Sequence, residues 1–305
     1  MRFSSLLSCA AAAPLLMAAT QPVRLQPSSP WVVDYAENSC RLARTFGQGP
    51  DKTTLLLESE APDEIDMVAL GKPLNGFSEE VPAKFLPVQG NPMEGRAAQS
   101  TDKHQPAILW SRVFLLPDDV AEKLKKRAAA RKLESGTRPP PLDPAERAWL
   151  KAKRQEFASK ATELEIAARR NRPVILETGP LGEAIRMFDK CSRDSLRDWG
   201  VDPDLEDKIV RPVWAPDAAK WFSSNDYPGE MAVRGEESIV KVRLLVDASG
   251  KPTKCTSLSH FKEPSFNDVV CGKFMKRAHF APAELADGTK VPSFYTNIIV
   301  FQMYR

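Results

Sequence analysis

The sequence predicts an α+β protein: a mostly β N-terminal domain with an inserted helical arm, followed by a small two-layer β-β-α-β domain. Short apolar segments separated by Gly, Pro and Asn continue to residue 116, and a stretch rich in Lys, Arg, Ala and Glu follows them. The C-terminal residues then show the pattern strand, strand, helix, strand. The expected divisions are a signal peptide at 1–20, a β-rich domain at 25–116 plus 173–200, a charged helical arm at 117–172, a linker at 201–226 and a C-terminal domain at 227–305.

Residues 1–20 have the pattern of a secretory signal peptide. Arg2 is followed by an apolar stretch of about 14 residues at 6–19, whereas a membrane-spanning helix needs roughly 20. Small residues precede position 20, so cleavage there is expected to release a periplasmic protein without a transmembrane helix. A lipoprotein signal ending at Cys9 is the alternative, but too few apolar residues precede Cys9 to form its hydrophobic region.

Composition narrows the classes of partner. Hydrophobic residues make up 42% of the 305, enough to build the cores of two ordinary domains. A formal net charge of +3 gives no reason to expect nucleic acid as a partner. Four of the five cysteines lie beyond the signal peptide, and an even number in an exported chain favours two disulfides.

The β-rich N-terminal domain is predicted from strand-like segments bounded by turn residues. These segments lie at 31–35, 40–46, 53–58, 65–70 and 107–116. After the arm, 173–177 has a strand pattern, and 181–199 has an amphipathic helix pattern that ends at Gly200. Cys191 lies on this helix. It is paired with Cys40 because these are the cysteines outside the C-terminal unit, and the helix is therefore expected to dock on the β domain.

Residues 117–172 are expected to form a helical arm. Three prolines at 139–141 divide it into two helices. The second is predicted at about 143–170, since Leu150, Phe157 and Leu164 lie on one stripe of a charged rod. An excess of basic residues in the arm is compatible with a surface for anionic lipid or cell wall, but a solvated helix face is the commoner explanation.

The segment 201–226 is rich in Pro and charged residues, a composition typical of a linker. Trp214 and Trp221 indicate that part of it packs against a domain.

In the C-terminal unit, 239–247 has a strand pattern and 248–251 a tight turn, after which the chain returns as a hairpin. Helical spacing of apolar residues at 264–277 and a final strand at 294–303 complete the order β-β-α-β.

This unit resembles the C-terminal domain of the TonB family, over residues 227–303 and about a quarter of the chain. The family pattern is Tyr-Pro, a short helix, Gly, a strand ending in Asp, a Gly turn, and a helix leading into Arg-x-x-Phe-x-Pro. The matching residues are Tyr227, Pro228, Gly235, 240–247, Gly250, Arg277, Phe280, Pro282, Gly288, Val291 and Pro292. Gly250 can take the positive φ of the turn, and Asp247 can accept hydrogen bonds from turn N–H groups.

Cys255 on the second strand and Cys271 on the helix are expected to form the other disulfide, joining the sheet to the helix. Metal binding by these thiols with His260 and His279 is the alternative. The absence of a close Cys-x-x-Cys pair in the sequence favours the disulfide, and no metal or cofactor is expected.

The resemblance implies a binding function by β-augmentation, in which a partner's extended peptide adds to an exposed sheet edge. In the TonB family this peptide is the TonB box of outer-membrane receptors. The implied partner-binding residues are Tyr227, Pro228, Tyr295, Asn297, Ile298, Ile299, Val300 and Phe301. For each side chain, simple packing within the fold is the competing interpretation.

Departures from the family leave three functions open. The sequence has neither the uncleaved membrane helix that engages the proton-driven motor of TonB nor its long Pro-rich spacer, which puts energy transduction in doubt. The hypotheses are an adaptor for TonB-dependent transport, a structural or cell-wall-binding envelope protein, and an enzyme. An enzyme is disfavoured because the sequence has three His and lacks a Gly-x-Ser-x-Gly elbow, a His-Glu-x-x-His pair and a phosphate loop.

Overall fold

The computed structural model describes residues 21–303 except residue 63 and the segments 78–79, 101–103, 134–142, 168–171 and 259–263. The expected signal peptide at 1–20, and His260 among the candidate metal ligands, lie outside the described residues. None of the helices in the described part of the chain has the length and hydropathy needed to cross a membrane.

Ten strands of the N-terminal part form one sheet that curls into a half-barrel. Their order is β1-β10-β9-β6-β7-β8-β5-β4-β3-β2, and among these ten described strands only β1 and β10 pair in parallel. The mostly β N-terminal domain expected from the sequence is thereby confirmed. The strands are β1 (Val23–Leu25), β2 (Val32–Tyr35), β3 (Cys40–Phe46), β4 (Thr53–Ala61), β5 (Glu64–Gly71), β6 (Glu80–Leu86), β7 (Met93–Gln99), β8 (Pro106–Trp110), β9 (Glu163–Ile166) and β10 (Val174–Leu176).

Alternation of buried and exposed side chains gives this sheet one face toward a core. In β5, Ile65, Met67 and Ala69 are buried while the residues between them are partly exposed. The sheet also curls until its ends approach each other. The chain leaving β1 hydrogen-bonds to the end of β3, where Ser28 N–H donates to Thr45 C=O and Gly47 N–H donates to Gln26 C=O, both at 2.8 Å.

Six α-helices occur among the described residues: α1 (Asp118–Leu133), α2 (Pro144–Lys160), α3 (Gly182–Asp198), α4 (Pro203–Glu206), α5 (Gly229–Arg234) and α6 (Pro264–Arg277). Helix α3 packs on the N-terminal core through Ile185, Phe188 and Cys191. The disulfide between Cys191 and Cys40 fastens it to β3, as the sequence predicts.

In the described C-terminal residues, six strands form two small sheets. The first has the order β11-β14-β15 and the second β13-β12-β16. Helix α6 lies against β12 and β13 and is joined to the sheet by the predicted disulfide between Cys255 and Cys271. The strands are β11 (Ile209–Arg211), β12 (Ser238–Val246), β13 (Pro252–Ser257), β14 (Ala283–Leu285), β15 (Lys290–Val291) and β16 (Ser293–Phe301).

The predicted fold class, α+β with a separate small two-layer C-terminal domain, is wrong. The described chain is mostly β with short helices, and no small two-layer domain is evident. The physical reason is that the sheet β13-β12-β16 makes contacts through both of its faces. Phe266, Phe274 and other apolar residues of α6 cover one face, whereas Arg243 on the other face donates to Asn38 C=O and Glu60 C=O of the N-terminal part.

Two segments differ from their sequence patterns. The helix predicted to continue to about residue 170 ends at Lys160, and β9 follows because Leu164 and Ile166 alternate in burial with Glu163 and Glu165. Within 201–226, Trp221 lies in the C-terminal core, with its ring centre 5.0 Å from that of Phe280. Trp221 therefore packs against a core, as the tryptophans of this segment predict for part of it.

Candidate functional site

The final strand, β16, is an edge strand. It pairs with β12 over its whole length without a register shift, from Ser293 opposite Val246 to Phe301 opposite Ser238. Among the described residues, no strand is hydrogen-bonded to its other side. An unpaired edge of this kind carries backbone donors and acceptors that another extended chain can use.

The register fixes which residues of β16 present their backbone groups outward. Leu258 N–H donates to Lys241 C=O at 2.8 Å, so the backbone groups of Lys241 point toward the β13 side of β12. In an antiparallel strand, the N–H and C=O of one residue point to the same side and successive residues alternate. Ile298 lies opposite Lys241, so Ile298, and with it Thr296 and Val300, points to the open side of β16.

One of these outward donors is already occupied. Ile298 N–H donates to Oδ1 of the neighbouring Asn297 at 2.7 Å, and Asn297 Nδ2 donates to the Tyr295 hydroxyl at 3.3 Å. Burial raises the pKa of Tyr295, so its hydroxyl stays neutral at physiological pH. The side chains of Tyr295 and Asn297 thus cover the backbone at Ile298, while Val300 keeps an outward N–H and C=O.

Apolar side chains accompany the open part of the edge. Ile298 is 40% exposed and Val300 58% exposed, and Ile239, which lies opposite Val300 on β12, is 61% exposed. Alternate residues of a strand share a face, so these three lie on the sheet face away from α6. Ile299 and Phe301 lie on the α6 side, where Phe301 is buried.

Tyr227 and Pro228 hold the fold together rather than lining the outer edge. The Tyr227 ring packs edge-on against Phe301 at 5.4 Å and Phe266 at 5.9 Å between ring centres. Burial, followed by the charges of Glu237 and Glu236, raises the pKa of Tyr227. Pro228 precedes α5 as its N-cap. The structure therefore brings Tyr227 to the end of β16, against the buried face.

A charged network ties the chain before Tyr227 to α6. Asp226 is buried and lies 2.6 Å from Lys273 Nζ and 2.8 Å from the Arg277 guanidinium. It also accepts from Ser223 N–H at 2.9 Å. The hydrogen bond from Lys273 contributes most to holding the pKa of Asp226 well below its ordinary value, while burial acts in the opposite direction.

The turn between β12 and β13 is built as its residues predict. Gly250 has φ of +86°, and a Cβ there would lie 2.0 Å from the Phe280 carbonyl oxygen. Asp247 Oδ1 accepts from Ser249 N–H at 2.8 Å and from Lys251 N–H at 3.0 Å. Both are structural roles, and the motif residues around Phe280 brace the turn.

The face away from α6 carries two charged residues, Lys241 and Arg243, that no sequence motif marks as part of a site. Arg243 is 3% exposed, and its guanidinium lies 3.4 Å from the centre of the Trp199 ring. Burial lowers the pKa of Arg243 to about 10. Burial also acts to lower the pKa of Lys241, but the hydrogen bond to Glu60 and the charges of Glu60, Asp66 and Glu64 outweigh it, so the pKa is raised.

A cleft of about 350 Å³ lies elsewhere, between the two ends of the large sheet. Glu163 and Glu177 line it, and Arg24 binds both carboxylates at 2.9 and 3.1 Å. Gln26 also donates to Glu177. Because these carboxylates are already paired, the edge of β16 is the stronger candidate for a binding site.

Comparison with models of known protein families finds no match, and comparison with curated proteins finds none either.

Proposed function

We propose that this chain is an exported, TonB-like envelope protein that binds an extended peptide of a partner by strand addition to the outer edge of β16. TonB-dependent outer-membrane receptors are the first candidates for the partner, and the role is binding rather than catalysis. A structural or cell-wall-binding role in the periplasm is the alternative that the test below must separate.

One observation carries this proposal. The nine-residue strand β16 is fully paired on one side, and its other side has no strand partner among the described residues. Backbone hydrogen bonds supply much of the affinity in strand addition, and they need no special side chain on the receiving strand. The exposed Ile298 and Val300 add apolar surface that an added strand would cover.

The disulfides of this chain support the proposed periplasmic location. Two disulfides join cysteines that are far apart or on different elements, and such bonds persist in oxidising compartments such as the bacterial periplasm. Together with the signal-peptide pattern at 1–20, they support a periplasmic location. Two residues of the TonB-like motif have structural roles in the fold, Gly250 in its turn and Arg277 in its contact with Asp226, and this agrees with the proposed resemblance.

The test uses two proline variants that differ in the direction of the lost N–H. Val300→Pro removes an outward donor, so binding to the N-terminal peptides of candidate receptors should be lost while the fold is kept. Ile299→Pro removes a donor that points toward Val240 of β12, so it should chiefly lower the free energy of unfolding. Circular dichroism, urea unfolding and fluorescence anisotropy measure these effects.

Folded Val300→Pro protein that binds receptor peptides as tightly as the parent would show that the edge is not the site. Purified cell-wall sacculi provide the second assay. If the parent and Val300→Pro proteins both bind sacculi and neither binds receptor peptides, the structural interpretation replaces the adaptor.

A further inference from the structure

Three carboxylates surround one ammonium group on the face of the sheet that holds Ile298. Nζ of Lys241 lies 2.7 Å from Glu60, 3.5 Å from Glu64 and 3.6 Å from Asp66. The Glu60 side chain is only 7% exposed, whereas those of Glu64 and Asp66 are 35% and 38% exposed. Lys241 lies closest to Glu60, and the buried Arg243 on the same face also interacts with the charge of Glu60. Three carboxylates thus face two cations, and the excess negative charge lies on Glu64 and Asp66, which reach solvent.

This negative charge lies beside the outer edge of β16. Thr296 Oγ1 donates to Glu64 Oε1 at 2.8 Å. Thr296, Ile298 and Val300 lie on one face of the strand because alternate residues share a face. Along the edge, the surface thus changes from acidic at Thr296 to apolar at Ile298 and Val300.

We propose that the edge of β16 selects an extended peptide in which two aliphatic side chains and one basic side chain alternate on one face. The inference rests on the strand addition proposed above and names the chemistry of the partner. An added strand places alternate side chains beside Val300, Ile298 and Thr296. The first two positions bury aliphatic groups against exposed apolar surface, and the third brings a cation toward Glu64 and Asp66.

The direction of the added strand determines the order of these side chains. An antiparallel peptide meets Val300 first, so it reads aliphatic, any, aliphatic, any, basic. A parallel peptide reads in reverse. The charge of the third position is therefore testable separately from strand addition itself, since every such peptide offers the same backbone groups.

The experiment uses labelled Thr-Val-Thr-Val-Thr-Lys-Thr, its analogue with Glu in place of Lys, and the reversed sequence of each. Binding to the mature protein is measured by fluorescence anisotropy at low and high salt. The better Lys peptide should bind about threefold to fivefold more tightly than its Glu analogue at low salt, and high salt should reduce the difference.

Glu64→Gln keeps an oxygen that can accept from Thr296 but removes the charge, so it should reduce the preference for Lys. Glu94→Gln is the matched control, because Glu94 is an exposed carboxylate on β7, outside the three-stranded sheet. Equal binding of the Lys and Glu peptides, both lost in Val300→Pro, would overturn charge selection and leave strand addition standing. Failure of all four peptides and of receptor peptides to bind would overturn both proposals.

Discussion

Asn297 shows how a single residue can protect an exposed strand edge. Edge strands with open backbone donors are prone to unwanted pairing, and proteins limit this by covering part of the edge. Here the Asn297 side chain accepts from Ile298 N–H, so one outward donor between Thr296 and Val300 is satisfied within the strand. This hydrogen bond shortens the part of the edge that is open to pairing, while the outward backbone groups of the neighbouring Thr296 and Val300 remain.

Replacing Asn297 with Ala should expose this donor. The amide of Ile298 is expected to exchange with solvent about threefold to tenfold faster, since one hydrogen bond is lost. Hydrogen exchange followed by NMR measures this rate. Asn297→Asp keeps the acceptor oxygen and should retain protection; unchanged protection of Ile298 in the Ala variant would contradict the covering role.

Residue patterns identify some of the site before the structure does. Cys255 with Cys271, and the turn residues Asp247 and Gly250, have the roles that their positions indicate. The alternation of Lys241 and Arg243 with valines in β12 also contains the signal for a polar second face. The pattern does not show which residues contact Lys241 and Arg243, because Glu60 lies 183 positions from Arg243 in the sequence.

At the scale of elements, the contact between α6 and the segment before α5 depends on the charge of Asp226. Asp226→Asn should lower the free energy of unfolding by about 2 kcal/mol at neutral pH, because two charged partners lose their carboxylate. The folded-state pKa of Asp226 is depressed, so its stabilisation is present above the ordinary value of 3.8 and is lost as pH falls below it.

Urea unfolding at neutral pH and near pH 3 tests this dependence, and the difference between parent and Asp226→Asn proteins should shrink at the lower pH. Asp217→Asn is the control. Asp217 pairs with Lys220 at 2.5 Å, but both side chains are more than half exposed, so its replacement should change stability little. A pH-independent difference for Asp226→Asn would contradict the ion-pair account.

Elements with strong local patterns are predicted from sequence, whereas β6 and β7 are not. Pro82 interrupts β6, and β7 contains Gly95 and two alanines, residues with weak strand preference. Their order comes from neighbours: Trp110 Nε1 donates to Val81 C=O at 3.0 Å, and a Cβ at Gly95 would lie 2.4 Å from the same nitrogen. Close packing of this kind between strands cannot be recognised from the sequence of any one strand.

At the scale of the whole molecule, the two disulfides constrain chain segments of different length. Cys40 and Cys191 are 151 positions apart, and Cys255 and Cys271 are 16 apart. In the chain-entropy model these bonds contribute about 5 and about 3 kcal/mol, respectively. Cys40→Ala/Cys191→Ala should therefore destabilise the protein more than Cys255→Ala/Cys271→Ala.

Guanidinium unfolding of both double variants measures the difference, with the parent protein under oxidising conditions as reference. Equal losses, or a greater loss for the shorter loop, would contradict the ordering.

The fold class itself could not be predicted from the sequence, because it depends on how the C-terminal sheet packs against the N-terminal part. That docking uses Arg243 against the Trp199 ring and Lys241 against Glu60, contacts between distant segments.

The pairing of β1 with β10 has a consequence for biosynthesis. Val23 lies opposite Val174, so the first of the described strands of the large sheet is hydrogen-bonded to the last of them. The chain through residue 176 must therefore be available before this side of the half-barrel can form. Contacts between such distant residues slow folding, since a long loop must close before they stabilise anything. The earliest part of the sheet to emerge is thus the last to gain its neighbour.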